Sequence, residues 1–147
     1  MRINPPASYA VVRDDAGVRD YVQANLGLVL SPPYVGFAVV DSGLHCRGAV
    51  VFNDYTGQNV ELTVHGRGCW TPAVVRRLLG YVWGELGCHR MTARTHPGNT
   101  AARRALKAMG FKVEGTAREW FQDGSDAILY GCLARECRLT RRTHHRQ

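Results

Sequence analysis

The segment Asn99–Gly115 constrains the fold of this chain more than any other part of the sequence. It begins with an Asn that can cap a helix, continues as an amphipathic run, and reaches Gly110-Phe111 before a strand-like stretch with Glu114-Gly115. Asn is favoured at helix starts, and Gly supplies the left-handed conformation that ends many helices. The segment therefore predicts a short helix followed directly by a strand, with a buried helix face made of Ala102, Ala105, Leu106 and Met109.

Periodicity elsewhere predicts an α/β fold with the element order β-α-β-β-β-α-β-α-β-β. Helical spacing of apolar residues and the alternation typical of strands support this order. Besides the helix that starts at Asn99, we expect helices over Asp15–Leu26 and Pro72–Leu86. The predicted strands are Tyr9–Arg13, Val35–Asp41, Arg47–Asn53, Val60–His65, Arg90–Thr95, Phe111–Phe121 and Ala127–Ala134. These elements predict one domain over residues 1–136, followed by a basic tail over 137–147.

Composition narrows the class of protein. With 147 residues the chain is long enough for one domain with a real core. Its 5 cysteines form no C-x-x-C pair, which favours reduced thiols in the cytoplasm over disulfides or a metal site. No apolar run is long enough to span a membrane. The net charge of +7, concentrated in an Arg-rich C-terminus, favours nucleic acid or an acidic partner, although a solvated terminus is the plainer interpretation.

A Gly-Arg-Gly turn, Gly66–Gly68, connects a predicted strand to the helix at Pro72. Such a turn lets a ligand approach the backbone, and the following helix N-terminus presents free N–H groups to a phosphate. The turn differs from a Walker A loop, since no Gly-Lys-Ser/Thr follows, and from the full dinucleotide fingerprint, since Thr71 replaces the last Gly. A connection that needs glycines only for its backbone conformation remains the alternative.

Four further residues have both a structural and a functional interpretation. Asn99 is either a helix cap alone or a cap whose amide also contacts a ligand. Glu61 and His65 share one face of a strand, where either is a general base or simply a solvated side chain. Cys69 lies near a helix start, where the dipole lowers a thiol pKa, but a small apolar residue is the simpler interpretation.

Together these motifs resemble the GCN5-related N-acetyltransferase (GNAT) superfamily over Tyr9–Glu136. The closest resemblance is to the branch that acetylates the N-termini of ribosomal proteins. The run Thr63–Gly68 contains both glycines of the family's cofactor loop, with Thr63 in place of its first Arg or Gln. Asn99 and Gly110-Phe111 follow in the family's order. The resemblance implies a mixed, mostly antiparallel sheet of about seven strands with helices on both faces.

The resemblance also implies acetyl-CoA as the acyl donor, held mainly by backbone groups and by Asn99. The strand around Leu62, Thr63 and Val64 would pair with the pantetheine arm, and Arg67, Arg103 or Arg104 is a candidate for a phosphate contact. The amides expected to hold the pyrophosphate belong to Gly66, Arg67, Gly68, Cys69, Trp70 and Thr71.

The implied reaction is direct attack of a primary amine on the thioester, without a metal. A protein or peptide N-terminus is favoured over a small-molecule amine, on the branch resemblance. Glu61 or His65 would take the proton, and an amide near Val64 would stabilise the oxyanion. Many family members protonate the thiolate from a Tyr or Ser at positions occupied here by Leu106 and Ala102. The alternative is therefore a weak or inactive CoA-binding module whose tail contacts nucleic acid or an acidic partner.

Overall fold

A seven-stranded sheet forms the centre of the computed structural model, which describes residues 8–137 and residue 139. The strands are β1 (Ala10–Arg13), β2 (Tyr34–Val40), β3 (Cys46–Asn53), β4 (Asn59–Gly66), β5 (Arg90–Thr95), β6 (Lys112–Ala117) and β7 (Ala127–Leu133). They lie in the order β1-β2-β3-β4-β5-β7-β6. Only β4 and β5 are parallel, and every other neighbouring pair is antiparallel. The mixed, mostly antiparallel sheet of the sequence-based prediction is confirmed.

The three α-helices are α1 (Asp15–Leu26), α2 (Pro72–Gly80) and α3 (Thr100–Met109). Each begins where a capping side chain accepts a hydrogen bond from a backbone N–H of the first turn. The three caps are Asp14, Thr71 and Asn99. Gly27 and Gly110 follow α1 and α3 in the left-handed conformation, which ends both helices.

Helices cover both faces of the sheet, as expected. On one face, Val18 and Val22 of α1 pack against Ala49 and Val51 of β3. The buried stripes of α2 and α3 belong to the larger core on the opposite face, which includes Val60, Leu62 and Val64 of β4. The side chains of Glu61, Thr63 and His65 therefore point to the α1 side, because neighbouring residues of a strand face opposite ways.

Two predicted elements were too long. The helix expected over Pro72–Leu86 changes after Gly80 into a π-helical turn, Tyr81–Glu85, closed by the Leu86 N–H donating to the Tyr81 carbonyl. The strand expected to reach Phe121 ends at Ala117. Beyond it, Glu119 adopts a positive φ of 51° and donates its N–H to the Asp126 carboxylate, which turns the chain out of the sheet.

The C-terminal end of the described chain belongs to the packed domain. A short 3₁₀ turn, Ala134–Glu136, follows β7. Cys137 is buried in the larger core, and Leu139 packs against that core. Most of the predicted basic tail, residues 138 and 140–147, lies outside the described residues. Across the part that the structure describes, no helix is both long and apolar enough to cross a membrane.

Candidate functional site

The two parallel strands β4 and β5 separate part-way along their length. They pair from Asn59 with Arg90 to Leu62 with Ala93, and no pairing follows. β4 continues to Gly66 beside β3, and β5 continues to Thr95 beside β7. The edges of β4 and β5 that face each other beyond Leu62 and Ala93 are therefore left without a strand partner. This opening in the middle of the sheet is the dominant feature of the candidate site.

The Gly-Arg-Gly turn closes β4 in a conformation that requires its glycines. Gly66 has a φ of 132°, and a Cβ on it would lie 2.5 Å from the Arg47 carbonyl oxygen and 2.7 Å from the Gly48 Cα. Gly68 has a φ of 72°, again in the region that favours glycine. The glycines therefore have a structural role here, and that role positions the loop at the start of α2.

The loop between β4 and α2 presents unused amides. Within residues 8–137, the backbone N–H groups of Arg67, Gly68, Trp70 and Thr71 donate to no other described residue. The Thr71 hydroxyl accepts from the Val74 N–H at 3.3 Å, which begins α2 immediately behind the loop. Free amides next to a helix N-terminus form an arrangement that favours an anion.

Three adjoining cavities run from this loop through the opening in the sheet. The loop cavity, about 390 Å³, lies between the loop and α3, with Arg67, Thr71, Thr100 and Arg104 among its lining residues. The middle cavity, about 320 Å³, shares Gly66, Arg67 and Ala101 with it. The far cavity, about 180 Å³, shares Leu26, Val64, Asn99 and Ala102 with the middle cavity.

The far cavity has walls from both faces of the sheet. Leu62 and Ala93 point into the larger core, whereas Thr63 and Arg94 occupy the opposite face. The cavity therefore passes through the sheet where β4 and β5 separate. A long, thin ligand that starts at the amide-rich loop can follow the free edge of β4 into this opening.

Asn99 lies beside the opening and caps α3. Its Oδ1 accepts from the Ala102 N–H at 3.1 Å, and the residue lines both the middle and the far cavities. The predicted helix cap is confirmed, and it is common to both interpretations of Asn99. The side-chain amide nitrogen donates to no described residue, so the cap leaves a donor at the cavity wall.

Glu61 forms an ion pair with Arg94 of β5, on the α1 side of the sheet. The Arg94 guanidinium also lies over the ring of Trp120, 4.4 Å from its centroid. Both partners of the ion pair are about one-quarter exposed, at 23% for Glu61 and 25% for Arg94. Glu61 is therefore already engaged by a cation, a partner that the sequence alone did not indicate.

His65 is paired with Tyr21 of α1. The Tyr21 hydroxyl lies 3.0 Å from His65 Nδ1, and the two rings make an edge contact with centroids 5.4 Å apart. Both residues line the middle cavity. Burial raises the pKa of Tyr21, so its hydroxyl remains protonated at neutral pH. The two predicted bases differ in setting, since His65 faces a cavity and Glu61 holds Arg94.

The sequence of residues 1–112 matches the family model of the acetyltransferase (GNAT) domain. The chain belongs to this GNAT family. A 73-residue segment, 50% of the chain, is 36% identical to the probable N-acetyltransferase YjcK of Bacillus subtilis. That segment covers 39% of the relative, so the match extends over well under half of its length.

Solved structures with the GNAT fold include the spermidine/spermine N-acetyltransferase SpeG from Vibrio cholerae. One structure of its mutant forms superposes with a TM-score of 0.70 at 14% identity, covering 95% of this chain and 100% of that one. A second, in complex with CoA and spermine, gives 0.68 at 15% identity over 87% and 96% of the two chains. At these identities the likeness shows the fold.

The positions at which many GNAT members carry a proton donor hold apolar residues here, and both residues are buried. Ala102 and Leu106 are 6% and 1% exposed, and both line the far cavity. Tyr130, another phenol near α3, is 4% exposed, and its oxygen accepts from Arg103 Nε at 3.2 Å. Tyr21 is the phenol that lines the middle cavity.

The three arginines considered for a phosphate contact occupy different positions around the loop. Arg103 lies outside the loop cavity and donates to Tyr130 and to the Pro97 carbonyl. Arg104 lines the loop cavity together with Arg67. Of the three candidate arginines, Arg67 and Arg104 therefore face the loop cavity and Arg103 does not.

Cys69 is a core residue, and the low-pKa interpretation of its thiol is wrong. It is fully buried, and its Sγ lies 3.6 Å from the Arg47 carbonyl oxygen. Burial raises the pKa of the thiol to about 11, which outweighs any effect of the nearby helix start. The thiol packs against Gly48 and helps fix the loop on β3.

Proposed function

We propose that this GNAT protein transfers an acetyl group from acetyl-CoA to a primary amine by direct attack. The observation that carries the proposal is the free edge of β4 beyond Leu62, which leads from the amide-rich loop into the opening between β4 and β5. An extended chain of amides, such as pantetheine, can add to such an edge as a strand does. A solved GNAT neighbour of the same fold is a complex with CoA and spermine, which supports the choice of cofactor.

The cofactor would lie along the three cavities in one direction. Its pyrophosphate would accept from the amides of the Gly66–Thr71 loop, with Arg67 and Arg104 supplying positive charge at the loop cavity. The pantetheine arm would pair with Thr63 and Val64 of β4. Asn99, whose side-chain nitrogen faces the cavity region without a described acceptor, would donate to the arm from the other side.

The thioester would then lie at the opening, where an amine reaches it from the α1 side. The attacking amine must be neutral, and an α-amine with a pKa near 8 loses its proton more easily than a lysine side chain. We assign the proton to His65, whose Nδ1 is held by Tyr21. Glu61 suits this role less well because Arg94 already occupies its carboxylate. The backbone N–H near Val64 would stabilise the oxyanion.

A second candidate function is a CoA-binding module with little or no turnover. The observation in its favour is the apolar pair Ala102 and Leu106 at the positions of the usual proton donors. Loss of that donor slows departure of the thiolate but leaves the binding surfaces intact. Water or the Tyr21 hydroxyl would then have to protonate the sulfur.

Calorimetry with CoA and acetyl-CoA, followed by mass spectrometry of amines incubated with acetyl-CoA, separates the two functions. We expect both cofactors to bind, and we expect an acetylated amine to accumulate. The Arg104→Ala variant should bind CoA about tenfold more weakly, a loss of about 1.4 kcal/mol. Arg76→Ala is the matched control, since Arg76 is exposed on α2 and lines none of the three cavities. Absence of CoA binding would reject both functions, whereas binding without product would favour the second.

A further inference from the structure

The far cavity contains positive charge and no negative charge among its described lining residues. Its walls are mainly apolar, and its ionisable side chains are Arg94 and His96. Glu61, which pairs with Arg94, does not line it. A cavity of this kind disfavours a second ammonium group on the acceptor and favours an anion.

Arg94 is held in place by two contacts, but not all of its hydrogen-bond donors have a partner. One guanidinium nitrogen, Nη1, donates to the Glu61 carboxylate, and the guanidinium lies over the Trp120 ring. Its Nε is buried and has no hydrogen-bond partner among the described residues. A guanidinium has five N–H donors and can bind a carboxylate through two of them at once. The Nε side of Arg94 therefore remains for an acceptor that the protein itself does not supply.

His96 adds a second donor at the same end. Its Nδ1 accepts from the Gly98 N–H at 3.0 Å, so the neutral ring carries its proton on Nε2. Its ring lies near Phe121, with centroids 6.1 Å apart, and both residues line the far cavity. The cavity thus combines two polar donors with an apolar wall.

We propose that the acceptor is a primary amine that also carries a carboxylate, which Arg94 binds while the amine faces the thioester. This inference rests on the proposed function, because it specifies the substrate class of the same site. The charge distribution argues against a polyamine, the substrate type named for the SpeG neighbours. The far cavity of about 180 Å³ suits an acceptor the size of an amino acid or the first residue of a peptide.

The test compares two ligands that differ only in the carboxylate. Binding of L-phenylalanine and of 2-phenylethylamine to the CoA-loaded protein is measured by calorimetry, with spermidine as a third ligand. We expect L-phenylalanine to bind at least tenfold more tightly than either amine. Equal affinities, or tighter binding of spermidine, would overturn the inference about the carboxylate. The proposed function would still stand if the protein bound CoA and acetylated any amine.

Variants assign the preference to one side chain. Arg94→Met should abolish the preference for L-phenylalanine, and the double variant Glu61→Gln/Arg94→Met should do the same without leaving Glu61 unpaired. Arg90→Met is the matched control, since Arg90 lies on the same strand, is paired with Glu114 and lines none of the cavities. An Arg94 variant that keeps the preference would overturn the assignment. The ligand ranking of the unmodified protein tests the substrate class even if a variant fails to fold.

A last experiment distinguishes two kinds of acceptor, a free amino acid and a protein N-terminus. If the acceptor is a free amino acid, L-phenylalanine itself should be acetylated with a higher kcat/KM than 2-phenylethylamine. A protein N-terminus would instead take its carboxylate from the first side chain, so that a hexapeptide beginning with Glu would exceed its Gln counterpart in kcat/KM. No preference in either comparison would overturn the carboxylate assignment.

Discussion

The hydroxyl oxygen of Tyr21 lies 3.0 Å from Nδ1 of His65, and this contact joins the first helix of the fold to the strand that leads into the opening. The two residues are 44 positions apart in sequence, on elements that meet only in the folded protein. The phenol fixes the orientation of the imidazole at the wall of the middle cavity.

If His65 takes the proton of the amine, His65→Gln should lower kcat by about 100-fold, the usual contribution of a general base. Tyr21→Phe keeps the ring contact but removes the hydroxyl, so we expect a smaller loss in kcat. Neither change should alter CoA affinity, because the proposed cofactor contacts involve mainly backbone groups. Steady-state kinetics across pH checks both effects.

Two substitutions serve as controls for that pair. Tyr55→Phe removes a hydroxyl that donates to the Leu86 carbonyl, away from the cavities, and His89→Gln changes an exposed histidine at the far end of β5. Both should leave kcat unchanged. A His65→Gln protein with normal kcat and an unchanged pH profile would remove His65 from the mechanism.

Asn99 allows the cap and the cofactor contact to be measured separately. Asn99→Asp retains an oxygen that can accept from the Ala102 N–H, so stability should stay within about 0.5 kcal/mol. The same change removes the amide donor, and CoA binding should weaken severalfold. Asn99→Ala should lose both, with a cost of about 1 kcal/mol for the cap. Chemical denaturation measures the stability of the variants, and calorimetry measures their affinity for CoA. Unchanged CoA affinity in Asn99→Asp would mean that Asn99 acts as a helix cap and makes no contact with the cofactor.

Ala102→Ser tests whether departure of the thiolate limits turnover. Ser is one of the residues with which family members protonate the sulfur at this position, and Ala102 lines the far cavity. We expect kcat to rise by about tenfold, within the range of acid catalysis. Ala16→Ser, at an exposed position of α1 that lines none of the three cavities, is the control. A kcat that does not change would place the slow step elsewhere.

Gly66→Ala should be among the most destabilising single changes in the chain. Its φ of 132° and the backbone atoms of Arg47 and Gly48 leave no space for a Cβ. We expect a loss of more than about 2 kcal/mol in the free energy of unfolding, together with weaker CoA binding. Gly80→Ala, in helical geometry with no neighbouring atom within 4 Å, should instead stabilise the protein by about 0.5–1 kcal/mol. Urea denaturation compares the two variants.

Burial of Cys69 predicts a pH dependence at alkaline pH. Its pKa of about 11 in the folded protein exceeds the ordinary value of 9.0, so the folded state keeps a proton that the unfolded state releases. The resulting stability is present below about pH 9 and is lost as pH rises towards 11. Cys69→Ala should flatten this decline in urea denaturation and should retain turnover. Loss of turnover in that variant would revive a chemical role for the thiol.

Features that depend on a few neighbouring residues were predictable from the sequence. Asp14, Thr71 and Asn99 cap helices through bonds within the first turn, so their side-chain chemistry is sufficient to place the helix starts. The two glycines of the loop were recognisable because a left-handed conformation selects strongly for Gly.

Contacts between distant elements were not predictable from the sequence. The pairing of His65 with Tyr21 depends on how α1 crosses the sheet, and that of Glu61 with Arg94 depends on the parallel register of β4 and β5. Arg103 and Arg104 are separated by about 100° around α3, so which of them faces the loop depends on how α3 packs on the sheet. The cytoplasmic location and the acceptor preference for a protein N-terminus stay predictions.

The separation of β4 from β5 also leaves the two halves of the sheet paired along one short stretch. Only four residue pairs, from Asn59–Arg90 to Leu62–Ala93, join the half that contains β1–β4 to the half that contains β5–β7. A cofactor that bonds to the free edge of β4 and also touches α3 would add contacts between these two halves. We expect the protein to bind its acyl donor before its amine, because the bound donor would form part of the surface that the amine meets.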